Sequence, residues 1–162
     1  MFDSAIRKQS ARQAPLIVPL HPELHRLAVL EERDALLAER SEGPAAEARH
    51  CNRWGYALLG RGHVLAAGGL VPLWAGRAEA WLLVSRYASP RDLVPALRHA
   101  RDVLDKRQRD PFFRRIEINV RWEAPWRESF VSALGFELEA IMDSWGPDGA
   151  DYGLYARIAD HG

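Results

Sequence analysis

One stretch of the sequence, residues 78–105, constrains the fold more than any other. It opens with an apolar run of strand length, AEAWLLVS at residues 78–85. From Leu93 onward the apolar residues instead recur every three or four positions, which is the period of an amphipathic helix. The change of period predicts a strand, a turn and a helix in direct succession. Such a unit places the first N–H groups of a helix at the end of a strand, where they favour an anion.

The start of this helix can be placed at two residues. Ser89 followed by Asp92 resembles a capping box, with Pro90 as the first helical residue. Pro95 would then lie in the second turn, where it removes a hydrogen bond and clashes with the preceding turn. If Asp92 is the cap instead, Pro95 lies in the first turn, where its missing N–H is not needed. We therefore predict a helix that begins at an Asp92 cap, with residues 86–91 as a loop.

The composition excludes several classes of protein. The chain has 162 residues, 48% hydrophobic and 27% charged, as expected for a globular domain. Its formal net charge is zero, so no overall field favours nucleic acid or an anionic membrane. No apolar run is long enough to span a bilayer, and the N-terminus does not resemble a signal peptide. The single cysteine excludes an internal disulfide and indicates a reducing compartment, which predicts a cytoplasmic protein.

The first third of the chain predicts one short strand and two helices. Residues 1–14 are polar and predict a loose arm. In the strand candidate, residues 16–20, Pro19 indicates either an edge position or the end of the strand. A helix is predicted for residues 22–40 and a second, short one for residues 45–50.

The middle of the chain predicts an antiparallel meander of three strands, at residues 54–59, at residues 64–73 and from Ala78. Two adjacent glycines, residues 68–69, lie inside the second of these strands. A glycine pair within a strand indicates a bulge or a close approach of another backbone segment.

The last third predicts a strand, a helix and a hairpin. Residues 115–122 alternate between apolar and charged or polar side chains, which is typical of a strand. A helix is predicted from Pro125 to a stop at Gly135. Its inward residues are predicted to be Trp126, Phe130, Val131 and Leu134. Residues 136–145 and 151–158 predict the two strands of a final hairpin.

The resulting order, β-α-(α)-βββ-α-β-α-ββ, predicts an α/β (α+β) fold in which helices cover a mixed sheet. This order resembles that of the GNAT-type N-acetyltransferases. The local strings that carry the resemblance are LGFE at residues 134–137, DGADYGLYAR at residues 148–157 and the strand with the glycine pair. The resemblance covers about two thirds of the chain. It implies one domain over residues 15–162, with about seven strands flanked by three or four helices.

A closer resemblance lies in two strings, WAGRAEAW at residues 74–81 and GPDGADY at residues 146–152. Both are similar to GNAT-like proteins encoded by tailed phages and prophages. The fold further implies that the strands at Ala78 and Arg115 are adjacent and parallel. A cleft is expected where these two strands splay apart.

The resemblance implies acetyl-CoA as cofactor, with its pyrophosphate on the loop after the central strand. In the family this loop is rich in glycines that let backbone N–H groups approach the phosphates. Here it reads SRYASPRD at residues 85–92, with no glycine and with a proline that removes a donor. Arg86 and Arg91 are expected to compensate by charge. The candidate cofactor-binding residues are Val84, Ser85, Arg86, Arg91 and Asp92.

Two residues that the family usually carries on its fourth helix are absent. Its usual asparagine falls on Ala124, and its usual tyrosine acid falls on Val131. The candidate catalytic residues are Glu79 and Tyr152: Glu79 would deprotonate an amine through water, and Tyr152 would line the pocket. An outward strand position for Glu79 and a packing role for Tyr152 are the structural alternatives. Tyr155 lies three residues further on and is expected to face the opposite way.

The leading hypothesis is an acyl-CoA-dependent N-acyltransferase whose acceptor is an amine, on a small molecule or a protein. The alternative is a catalytically degenerate GNAT-like phage protein that acts as a virion or host-interaction component, with a phage or host protein as partner. It would reside in the host cytoplasm or the virion. Neither hypothesis includes nucleic acid, a membrane or a metal: His21 and His25 are four residues apart but lack further ligands.

Overall fold

The computed structural model describes residues 14–22, Leu24 and residues 53–159. In these parts of the chain it contains seven strands, two α-helices with described bounds and one short 3-10 helix, Pro111–Phe113; Pro22 and Leu24 are helical as well. The strands are β1 (Leu16–Pro19), β2 (Gly55–Gly60), β3 (His63–Trp74), β4 (Arg77–Val84), β5 (Arg115–Arg121), β6 (Glu137–Met142) and β7 (Tyr152–Ile158). The helices are α1 (Pro90–Arg107) and α2 (Pro125–Ala133).

The seven strands form one mixed sheet in the order β1-β2-β3-β4-β5-β7-β6, which confirms the predicted fold class. By its contacts the chain divides into two compact units, residues 1–70 with 82–96 and residues 71–81 with 97–162. The predicted arm, most of the helix over residues 22–40 and the short second helix lie outside the described residues. The extent of the domain, residues 15–162, stays a prediction. No helix in the described ranges is both long and apolar enough to cross a membrane.

The first unit contains β1, β2 and most of β3. β1 pairs antiparallel with β2 at one edge of the sheet and ends at Pro19, so both predictions made from this proline are confirmed. β2 pairs antiparallel with β3, and the register shifts between Leu58 and Leu59. A Cβ atom on Gly69 would lie 2.6 Å from the carbonyl oxygen of Trp54. The glycine pair therefore marks a close approach of two backbone segments, one of the two predicted alternatives.

The core of this unit is formed by consecutive apolar residues of β2 and β3. Four successive residues of β3, Val64 to Ala67, are at most 2% exposed. Successive side chains of a strand point to opposite faces, so both faces of the sheet are covered along this part of β3.

In the second unit β4 and β5 are adjacent and parallel, as predicted. Their registered pairs are Arg77 with Arg115, Ala78 with Ile116 and Glu79 with Glu117. Both strands continue beyond the last of these pairs, β5 as far as Arg121. The parallel ladder is therefore short.

The alternating segment forms β5 as predicted, with Ile116, Ile118 and Val120 buried. β7 pairs antiparallel with β5 on one side and with β6 on the other, which confirms the final hairpin. Arg157 of β7 donates to the carbonyl oxygen of Leu134 at 2.8 Å and pairs with Asp105. This one side chain therefore connects β7 to the ends of both helices.

The predicted end of α2 is confirmed, because Gly135 follows it with a φ of 84°. Val131 and Leu134 are buried as predicted, at 2% and 5% exposure. The inward position of Trp126 is wrong: this residue is 48% exposed. It lies in the first turn of α2, and the guanidinium of Arg127 covers its ring at 5.2 Å.

Glu117 of β5 is a buried carboxylate, only 6% exposed. Arg77 donates to one of its oxygens, and Arg115 donates to the other at 2.9 Å. Arg115 also donates to Glu139 of β6 at 2.9 Å. Burial alone would raise the pKa of Glu117, but the hydrogen bonds and charges of the two arginines outweigh it and hold that pKa below its usual value.

We predict that Glu117→Gln destabilises the protein by about 1–3 kcal/mol at pH 7, because two partly buried guanidinium groups lose their counterion. A carboxyl whose pKa is lowered by folding stabilises the protein above its unfolded pKa, near 4.3, and that contribution is lost as the pH falls through the lower folded value. The deficit of the variant should therefore shrink from pH 7 to pH 3. Urea unfolding at several pH values measures it.

Glu137→Gln, at an exposed position on β6, is the matched control and should behave like the unmodified protein. A deficit for Glu117→Gln that stays constant down to pH 3 would contradict this assignment of the buried charge.

Candidate functional site

The loop between β4 and α1 is closed around Ser85, which is 2% exposed. Its N–H donates to the carbonyl oxygen of Leu65 at 2.9 Å, and its own carbonyl oxygen accepts from the N–H of Ala88 at 3.0 Å. The hydroxyl oxygen of Ser85 accepts from the N–H of Tyr87 at 3.2 Å. In the first half of the loop, three of the four backbone donors therefore already have acceptors within the chain.

The predicted start of the helix at an Asp92 cap is wrong, because α1 begins at Pro90. The capping alternative applies: the N–H and hydroxyl of Ser89 donate to Oδ2 of Asp92 at 2.8 and 2.6 Å. The N–H of Asp92 returns a bond to the carbonyl oxygen of Ser89 at 3.0 Å. These reciprocal bonds stabilise the first turn, and Pro95 is tolerated inside the helix although it removes one helical hydrogen bond.

Arg61, in the turn between β2 and β3, holds this loop from the side. Its backbone has a φ of 52° and that of Gly62 a φ of 77°, as in tight two-residue hairpin turns. Nη2 of Arg61 donates to the carbonyl oxygen of Tyr87 at 2.7 Å and also pairs with Asp92. Arg61 is not among the residues predicted from the sequence, because a contact between residues 31 positions apart leaves no local pattern.

Neighbouring groups stabilise the ionised form of the Asp92 carboxyl. Burial alone would raise the pKa of this carboxyl, but hydrogen bonds from Ser89 and the charge of Arg61 outweigh it and keep the pKa below its usual value. Asp92 is therefore ionised at neutral pH. Its carboxylate lies in the first turn of α1, where the partial positive charge of a helix favours an anion.

In this loop the side chains of two arginines are available to hold a diphosphate, whereas most backbone N–H groups are not. The N–H groups of five residues already donate within the chain: Ser85, Tyr87, Ala88, Ser89 and Asp92. Pro90 has no N–H, so Arg86 and Arg91 are the remaining backbone donors of residues 85–92. Both of their side chains are exposed, and Arg91 has no ion pair or side-chain hydrogen bond among the described residues. Val84, half-buried at the end of β4, offers no polar side-chain atom.

The two catalytic candidates lie on one face of the sheet but far apart. Glu79 is registered with Glu117, and Tyr152 is registered with Arg121 on the other side of β5. Four residues along β5 correspond to about 13 Å. The structure therefore does not bring Glu79 and Tyr152 together, and neither acts directly on the other.

Tyr152 is 4% exposed, and its ring lies 4.9 Å from that of Trp145. Burial raises the pKa of its phenol, and the nearby guanidinium of Arg121 only partly offsets this. The phenol is therefore protonated at neutral pH, as a proton donor must be. Arg121 in turn donates to Asp148 at 2.7 Å.

The two positions that depart from the family pattern have structural roles in α2. Val131 is 2% exposed and belongs to the core. Ala124 is the N-cap of α2 and provides no side-chain hydrogen bond to it. α2 thus contributes neither an amide nor a phenol side chain at these two positions.

Neither a protein-family model nor a curated protein sequence matches the chain. Solved structures do match its fold. They include Ard1 from Thermoplasma volcanium, with a TM-score of 0.65 at 15% identity over 91% of this chain and 99% of the other. A GNAT-family acetyltransferase from Bacillus anthracis gives 0.65 at 11% identity, over 92% and 97%. The yncA protein of Salmonella typhimurium, solved with its cofactor acetyl-CoA, gives 0.59 at 15% identity, over 93% and 96%. The chain therefore has the fold of the GNAT acetyltransferases.

The contact between the turn and the loop can be measured by a double-mutant cycle. We predict that Asp92→Ala destabilises the protein by about 1–2 kcal/mol, because it also removes the acceptor for Ser89. The coupling energy between Arg61→Ala and Asp92→Ala should stay below about 1 kcal/mol, because Arg61 is 44% exposed. Chemical unfolding of the four proteins gives both values. An Asp92→Ala variant as stable as the parent would show that the capping bonds do not form.

Proposed function

We propose that the protein is an acyl-CoA-dependent N-acyltransferase, acting in the cytoplasm, whose acceptor is an amine. The observation that carries the proposal is the GNAT fold together with two exposed arginines, Arg86 and Arg91, on the loop between β4 and α1. A solved structure of the same fold contains acetyl-CoA, and others are described as spermidine N-acetyltransferases. These similarities support the proposal at the level of the fold.

In this proposal, Arg86 and Arg91 hold the phosphates of acyl-CoA, whose thioester supplies the activated acyl group. Guanidinium groups suit this task because they donate in pairs to phosphate oxygens. Asp92 opposes binding, since its carboxylate repels the phosphates from the same helix end. Binding is therefore expected to be weak and sensitive to salt, because exposed charges are screened.

The proposed catalytic residues are Glu79 and Tyr152. Glu79 takes a proton from the acceptor amine through a water molecule, which leaves the nitrogen lone pair free to attack. Tyr152, whose phenol keeps its proton at neutral pH, is the proposed donor to the CoA thiolate that leaves when the C–S bond of the thioester breaks, since Val131 stands where the family has its tyrosine acid. Because about 13 Å of strand separates the two residues, in this proposal at least one of the two proton transfers passes through water.

A second candidate is a protein with the GNAT fold that does not transfer acyl groups. The closed loop favours it, because five backbone donors are used and Asp92 already occupies the helix end. The sequence strings similar to phage-encoded proteins point to a virion or host-interaction component as its role. A protein of this kind would bind a partner protein and would not release thiol from acetyl-CoA.

Calorimetric titration with acetyl-CoA tests the proposal, at about 20 mM and about 150 mM salt. We expect binding that weakens several-fold at the higher salt. Arg86→Ala and Arg91→Ala should each reduce the affinity by about three- to tenfold. Arg98→Ala, an exposed arginine about two turns further along α1, is the matched control and should change the affinity by less than about twofold.

Release of thiol from acetyl-CoA with a panel of primary amines then tests catalysis. Glu79→Gln should lower the rate by about 10²-fold or more, without changing the affinity for acetyl-CoA. A folded protein that gives no heat with millimolar acetyl-CoA would leave the enzyme without a cofactor and favour the second candidate.

A further inference from the structure

His63 and Tyr87 form an exposed aromatic pair at the loop between β4 and α1, and the proposed mechanism does not use this pair. The ring of His63, at the start of β3, stacks on that of Tyr87 with 4.4 Å between centroids and 21° between planes. Tyr87 is 41% exposed, and His63 is also exposed. Each ring has one face against the other, so the stack offers a ligand only an outer ring face, chiefly that of His63, because Arg86 lies over the ring of Tyr87.

The pair is held in place by the contact between the turn and the loop. Arg61 donates to the carbonyl oxygen of Tyr87 at 2.7 Å, and His63 begins β3 two residues after Arg61. The guanidinium of Arg86 lies 5.3 Å from the ring centroid of Tyr87. Because both rings are attached to segments that are hydrogen-bonded to each other, the stack is preorganised before any ligand arrives.

The surroundings of the stack are positively charged. Arg61, Arg86 and Arg91 lie on the turn and the loop, against the single carboxylate of Asp92, so these four charged side chains sum to a charge of +2. An aromatic face among guanidinium groups suits a ligand that has a flat ring and phosphates. Nucleotides combine these two properties in one molecule.

We propose that His63 and Tyr87 form a stacking platform for the base of an adenine nucleotide whose phosphates contact Arg86 and Arg91. The nucleotide is either the adenosine bisphosphate end of acyl-CoA or a free adenine nucleotide. The first source rests on the proposed function, since acyl-CoA carries an adenine ring and three phosphates. The second source does not depend on it.

Three probes separate these cases in calorimetric titrations of the full chain: acetyl-CoA, adenosine 3′,5′-bisphosphate and acetyl-4′-phosphopantetheine, which lacks adenine. Tyr87→Ala should weaken the two adenine-containing probes by about tenfold and leave acetyl-4′-phosphopantetheine unchanged. Tyr87→Phe keeps the ring and should stay within about twofold. His63→Ala removes the stack while Tyr87 is retained, and should weaken the same two probes.

Trp74→Ala is the matched control, because Trp74 is also exposed, at 58%, and also lies under an arginine, Arg77 at 4.6 Å. It should not change the binding of any probe. Circular dichroism of each variant establishes that the chain is folded.

Two results would overturn the platform. In the first, Tyr87→Ala and His63→Ala bind adenosine 3′,5′-bisphosphate as tightly as the parent does. In the second, the parent protein binds acetyl-CoA but does not bind this bisphosphate. In both cases the proposed acyltransferase is untouched. A parent that binds the bisphosphate through Tyr87, but neither acetyl-CoA nor acetyl-4′-phosphopantetheine, would support the platform with a free nucleotide and contradict the proposed function.

Discussion

The pairing of β4 with β5 depends on one buried charge, the carboxylate of Glu117. An ionised carboxylate is stable inside a protein only when its charge and its hydrogen-bonding capacity are met by partners. Arg77 provides one partner from β4 and Arg115 the other from β5, and Arg115 extends the network to Glu139 on β6. At the short parallel ladder, the positive charges of two arginines are therefore balanced by the negative charges of two glutamates.

A second constraint, that buried backbone donors need acceptors, shapes the candidate site. The loop after β4 lacks glycine and meets this need within the chain, through Ser85 and through the bonds between Ser89 and Asp92. Asp92 thereby places the chain's own anion at the start of α1. A phosphate ligand must consequently be recognised by arginine side chains, which makes affinity depend on charge and salt and not on a backbone cradle.

Much of the fold could be predicted, because its signals are local. The alternation over residues 115–121, the glycine after α2 and the final hairpin each follow from a few neighbouring residues. The predicted start of α1 is wrong because two effects oppose each other there. A start at Pro90 gains the capping bonds between Ser89 and Asp92 but places Pro95 inside the helix, and sequence alone does not give the relative size of the two energies. The ion pair of Arg61, the burial of Glu117 and the exposure of Trp126 depend on contacts between distant segments or on packing, which leave no pattern in sequence spacing.

The most direct measurement of the central claim is amide hydrogen exchange of the free protein, resolved by residue with NMR. If the loop is closed by its own chain, the amides of Ser85, Ala88 and Ser89 are protected without any ligand, and those of Arg86 and Arg91 exchange faster. Addition of acetyl-CoA then shifts the side-chain Nε–H signals of Arg86 and Arg91 and does not change the exchange rates of the protected amides. Amides of Ser85, Ala88 and Ser89 that exchange freely, and become protected only when acetyl-CoA is added, would contradict the account.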